Sequence, residues 1–88
     1  MDWTGLETHR IELARPLLII RGARGLLACG YLNVATFEKT GEAAAIVTGV
    51  GDFDEMLAAK VVALSPAARE LGVEEGMSGE EALSRMRS

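Results

Sequence analysis

The chain reads as an α+β domain: one mixed β-sheet with helices packed mainly on one face, in the order β-β-β-α-β-α-β-α-α. Three observations predict this. Short apolar runs alternate with segments that carry helix caps and stops. The two earliest runs flank a glycine-rich turn, as a hairpin requires. The helical signals come only after that hairpin, which favours α+β over a regular alternation of strand and helix.

The elements follow in order. Arg10-Ile11-Glu12-Leu13 alternates polar and apolar residues and reads as a half-buried strand. Pro16 suits a strand edge, and Leu17-Leu18-Ile19-Ile20 is apolar on both faces, as in a strand covered from both sides. Arg21-Gly22-Ala23-Arg24-Gly25 is a turn, and Leu26-Leu27-Ala28-Cys29 the returning strand. Asn33 is placed to cap a helix over Val34 and Phe37 that Gly41 ends. Ala43 to Thr48 is the next strand, its alanines leaving room for a helix to pack closely. Asp52 with Glu55 resembles a capping box, and Phe53, Met56 and Leu57 form the apolar stripe behind it. Val61 to Leu64 is a short strand. Ser65-Pro66 opens a helix that Gly72 closes, and Ser78-Gly79-Glu80-Glu81 opens the last one.

Composition limits the function classes. With 88 residues the chain forms a single domain over 1–88, burying only about two thirds of its unfolded surface. Hydrophobic residues are 49% but aromatics only 5%, so the core is aliphatic. A net charge of -4 argues against a nucleic-acid partner. The first 25 residues nonetheless carry four arginines (Arg10, Arg15, Arg21, Arg24) against three acids. The longest apolar run, Pro16 to Ile20, is too short to cross a bilayer, so no membrane association is expected. One cysteine cannot form an internal disulfide, which favours a reducing cytoplasm.

Three places could carry chemistry. Cys29 lies in Cys29-Gly30-Tyr31-Leu32-Asn33, between an apolar strand and a helix start, where a thiol can acquire thiolate character. A cysteine hydrolase needs a base, and the sole histidine, His9, meets Cys29 only if the first strand pairs with the third. The alternative is a small buried residue closing a strand. Gly49-Val50-Gly51-Asp52 is a glycine turn between strand and helix that could present amides to a phosphate, with Arg21 or Arg24 completing the site. It lacks the third glycine of a dinucleotide fingerprint and the lysine of a P-loop. Asp52, Asp54 and Glu55 could hold a cation, but serve equally at a helix N-terminus. One Cys and one His cannot supply a structural metal site, and no cofactor is expected.

The run Leu17 to Gly22 followed by Gly25 to Asn33 resembles the YunC-like family of bacterial and archaeal domains of unknown function. Ala44 to Val50, Phe53 to Leu57, Ala59 to Val62, Leu71 to Val73 and Gly76 to Leu83 continue the resemblance in the same order, over roughly residues 11–86. It implies a small stand-alone α+β fold and places Cys29–Asn33 and Thr48–Leu57 within the family pattern. It implies no catalytic residue. The expected function is a homo-oligomeric binding or assembly module with a small-molecule ligand. The alternatives are a thiol-dependent enzyme or redox sensor using Cys29, and a phosphate- or nucleotide-binding domain using Gly49–Asp52.

Overall fold

The computed structural model describes residues 1–88. Five strands form one sheet in sequential order: β1 (Glu7–Glu12), β2 (Pro16–Arg21), β3 (Leu26–Ala28), β4 (Ala44–Ile46) and β5 (Ala63–Leu64). Neighbours are antiparallel except β3 and β4, which are parallel and joined through helix α1 (Val34–Thr40). Helices α2 (Phe53–Ala58), α3 (Pro66–Glu70) and α4 (Gly79–Met86) complete the α+β order expected from the sequence.

Strand alternation sorts the sheet into two faces. Leu18, Ile20, Leu27, Ala45 and Val47 point to one side, where they pack with Met56 and Leu57 of α2, Ala68 of α3, and Ala82, Leu83 and Met86 of α4. Ala28, Ala44 and Ile46 are also buried but stand outside that cluster. They lie on the reverse face, which α1 covers through its contact with β4. Val34 and Phe37 are only half-buried there, so α1 is a thin cover. Three helices on one face and one on the other satisfy the expected arrangement.

Helix ends follow the anticipated chemistry. Asn33 Oδ1 accepts from Ala35 N–H at 2.9 Å, Asp52 Oδ1 from Glu55 N–H at 2.7 Å, and Ser78 Oγ from Glu81 N–H at 3.1 Å. Ser65 does more than cap α3. Its buried hydroxyl donates to Glu42 O at 2.7 Å and accepts from Ala44 N–H at 2.9 Å, tying the start of β4 to the start of α3.

Helix α4 buries Leu83 and Met86 in the core and is held at both ends by close backbone approach. At its start, a Cβ on Gly79 would collide with Met56 O, and Gly79 N–H donates to Ala59 O at 2.8 Å. At its end, Arg24 N–H donates to Met86 O at 2.9 Å and Ala23 N–H to Arg87 O at 3.3 Å. A Cβ on Gly22 would lie 2.6 Å from Met86 O. Only glycine fits at either contact. Gly79→Ala should therefore destabilise the fold by about 2–3 kcal/mol through overpacking, whereas Glu80→Ala on the exposed face should stay within about 0.5 kcal/mol. Urea unfolding of the two variants checks this; equal midpoints would contradict it.

Candidate functional site

Because β3 and β4 run side by side in the same direction, both end at the same edge of the domain. Cys29-Gly30-Tyr31 leaves β3 there, and Val47-Thr48-Gly49-Val50 leaves β4. The crevice beyond the carboxyl ends of parallel strands is where open α/β sheets bind ligands. A cleft of about 420 Å³ opens at this point, lined by Arg15, Pro16, Cys29, Gly30, Tyr31, Gly49 and Val50. Two segments singled out separately in the sequence thus become one site. They approach closely, since a Cβ on Gly30 would lie 3.2 Å from Thr48 Cγ2.

Cys29 forms part of the floor and is only 4% exposed. Its carbonyl turns away to accept from Leu32 N–H at 3.1 Å, leaving the paired residue of β2 without its usual ladder acceptor. The sulfur takes that place. Leu18 N–H donates to Sγ at 3.3 Å, and the thiol is directed at Pro16 O, 4.0 Å away. Sγ therefore faces β2 and not the N-terminus of α1. His9 lies on β1, which pairs with β2 and not with β3. It is in the row of Ile19 and Ala28, the face opposite Cys29, and contacts Glu7 Oε2 at 3.4 Å. The topology keeps the two side chains apart.

The Gly49–Asp52 turn supplies both wall and cap. Gly51 N–H donates to Glu55 Oε1 at 2.5 Å while Glu55 N–H donates to Asp52 Oδ1, so carboxylates of the chain already occupy the start of α2. Asp52 and Glu55 are thus engaged in capping, and Asp54 is an exposed residue of the first helical turn. Arg10 Nη1 donates to Gly51 O at 3.2 Å and joins β1 to this turn. Its hydrogen bond to Glu12, reinforced by the charges of Glu12 and Asp52, holds the guanidinium above its ordinary pKa. Tyr31 is half-exposed, and its hydroxyl accepts from Arg15 N–H at 3.2 Å. Gly30, Tyr31 and Gly49 are exposed, and their backbone N–H groups donate to no group of the chain.

Other sequence candidates lie elsewhere. Arg21 and Arg24 line a second cleft of about 490 Å³ with Gly41, Glu42 and Glu70, at the amino end of β3. They cannot surround an anion held at Gly49, which is at the carboxyl end. Asn33 caps α1 and does not line the first cleft. The cation of that cleft is Arg15, one of the four arginines of the first 25 residues, and nothing local in the sequence marks it out from the others. Its position follows from the β1–β2 register, where Glu12 pairs with Pro16 and the turn between them holds Arg15 beside Tyr31.

This small mixed-sheet domain with a cleft at its parallel edge has known relatives. A family model described as a domain of unknown function, DUF1805, matches residues 28–86, and the chain belongs to that family. The uncharacterized protein YunC of Bacillus subtilis is 34% identical over 73 residues, covering 78% of this chain and 72% of that one. The crystal structure of TA1206 from Thermoplasma acidophilum, a protein of unknown function, superposes with a TM-score of 0.79. It is 33% identical and the match covers 92% of each chain. The family membership expected from the sequence is thereby established.

Cys29→Ala removes the acceptor of Leu18 N–H and should cost about 2 kcal/mol, whereas Cys29→Ser keeps an acceptor and should cost less. Chemical denaturation of both variants measures this. A serine variant as weak as the alanine one would show that the sulfur holds no strand amide.

Proposed function

We propose that the domain is a self-associating binding module that holds a small anionic ligand in the cleft at the carboxyl ends of β3 and β4. The observation that carries this reading is the convergence of Arg15 with the unpartnered amides of Gly30, Tyr31 and Gly49 around one opening. A carboxylate or phosphate oxygen is the group that such donors satisfy, and a charge-assisted bond from arginine is stronger than a neutral one. Pro16, Val50 and the ring of Tyr31 supply apolar surface for the rest of a small molecule.

The placement of Cys29 supports binding over thiol chemistry. Its sulfur is buried and engaged with β2, and the histidine stands on the far face. Self-association is supported by the half-exposed apolar residues Ile11, Leu13 and Val62 on a domain with a thin core. A reducing cytoplasm suits the single free cysteine. No helix is long and apolar enough to cross a membrane.

Titration of the ¹⁵N-labelled protein with inorganic phosphate and, separately, acetate tests the cleft. The amide resonances of Gly30, Tyr31 and Gly49 should move. Arg15→Ala should weaken binding about tenfold, the worth of one charged hydrogen bond, and Arg24→Ala should not. Unmoved cleft amides at about 10 mM anion, or sensitivity to Arg24 instead of Arg15, would overturn the proposal.

A further inference from the structure

Strand β1 is the end strand of the sheet, and all six of its residues are exposed, so it is covered on neither face. The segment before it does not shield its edge. Trp3 packs edge-on against Phe53, with ring centroids 6.4 Å apart, and Arg87 holds the carbonyls of Asp2 and Thr4 at 2.8 and 2.9 Å. An open edge of this kind is a template for another strand.

The ladder fixes which groups β1 offers. Cys29 N–H donates to Leu18 O and Gly22 N–H to Gly25 O, so even-numbered residues of β2 bond to β3. Odd-numbered residues of β2 therefore bond to β1, through Glu7, His9 and Ile11. Thr8, Arg10 and Glu12 consequently direct their backbone N–H and C=O groups outward. An antiparallel two-fold pairing must match these outward residues with one another, so its axis passes through a residue and not between two.

Side chains then choose the residue. An axis at Arg10 or at Glu12 sets like charges directly opposite. An axis at Thr8 or His9 leaves Ile11 unpaired with any apolar residue; at His9 it faces Glu7. An axis at Ile11 places Arg10 opposite Glu12 twice and Ile11 opposite itself. Ile11 already pairs with Leu17, so an apolar row Leu17-Ile11-Ile11-Leu17 would run unbroken across four strands, with Leu13 flanking it on each side. Ile11 and Leu13 are 53% and 49% exposed in the single chain, and such a row would cover them.

We infer that a second copy of this chain pairs with β1 antiparallel about Ile11, joining two five-stranded sheets into one of ten strands. This rests on the self-association proposed above and specifies its surface. The interface uses the outer edge of β1, whereas the hydrogen-bonded floor of the ligand cleft lies on the other side of that strand, between β2 and Cys29, so each copy keeps its own.

The test uses sedimentation of the full chain at about 100 µM, where weak pairs are populated. The native protein should be dimeric, and Arg10→Glu and Glu12→Arg should each be monomeric because each puts like charges opposite. Mixed in equal amounts, the two variants should dimerise. One copy then carries two acids at positions 10 and 12 and the other two arginines, so both facing pairs are of opposite charge. Oxidised Ile11→Cys should form a disulfide-linked dimer and Leu13→Cys should not, because only residue 11 meets itself. A native monomer would overturn both this inference and the self-association behind it, leaving the edge to a strand of a foreign protein. A native dimer unaffected by either charge reversal, or cross-linked at residue 13 and not 11, would overturn this interface alone.

Discussion

The parallel pairing of β3 with β4 is the constraint on which the rest of the molecule turns. Every other neighbouring pair in the sheet is antiparallel, and antiparallel neighbours need only a tight turn. The parallel pair needs a crossover, and α1 supplies it on the face opposite the main core. The same pairing sends the chain out of β3 and β4 at one edge, so that Cys29–Tyr31 and Thr48–Val50 become neighbours. Had these strands been antiparallel, the two turns would stand at opposite ends and the cleft would not exist.

With only 5% aromatic residues, the domain reaches adequate packing by bringing backbones close. Ala44 and Ala45 thin β4 enough for helices on both faces, and both residues are fully buried. The two glycine contacts of α4 serve the same end against α2 and against the β2–β3 turn. The chain termini are linked around this helix, with Arg87 binding the carbonyls of Asp2 and Thr4. The Thr4 amide in turn bonds to the Asp2 carboxyl and holds its pKa below the ordinary carboxylate value. Buried polar groups are few, and Ser65 shows how one is accommodated: every bond its hydroxyl can make is made.

Much of this was legible in the residues. Asn33, Asp52, Ser65 and Ser78 announce their helices because capping is local chemistry, fixed by neighbours three residues apart or fewer. The apolar runs mark the strands for a similar reason. The identity of the family was legible as well, through blocks spread in order along the chain. What could not be read locally was pairing. That β1 joins β2 and not β3 decides where His9 lies, and no residue near His9 encodes it. The parallel step from β3 to β4 likewise determines that Arg15 accompanies Gly49 and that Arg21 and Arg24 do not. The sulfur of Cys29 sits where a helix start suggested a reactive thiol, but a diverted carbonyl makes it a ladder acceptor. That substitution depends on a partner eleven residues away.

Two kinds of amide thus stand side by side at the cleft. Those of Cys29 and Val47 are rungs of the sheet, bonded to Leu18 O at 3.1 Å and Ala28 O at 2.9 Å. Those of Gly30, Tyr31 and Gly49 belong to exposed residues that line the cleft and have no partners in the chain. Native-state hydrogen exchange of the ligand-free protein separates them. Cys29 and Val47 should exchange only with global unfolding, while Gly30, Tyr31 and Gly49 should exchange near the rate of an unprotected peptide. Protection of those three equal to that of the sheet, or rapid exchange at Val47, would contradict a rigid parallel pair that leaves open donors at the cleft.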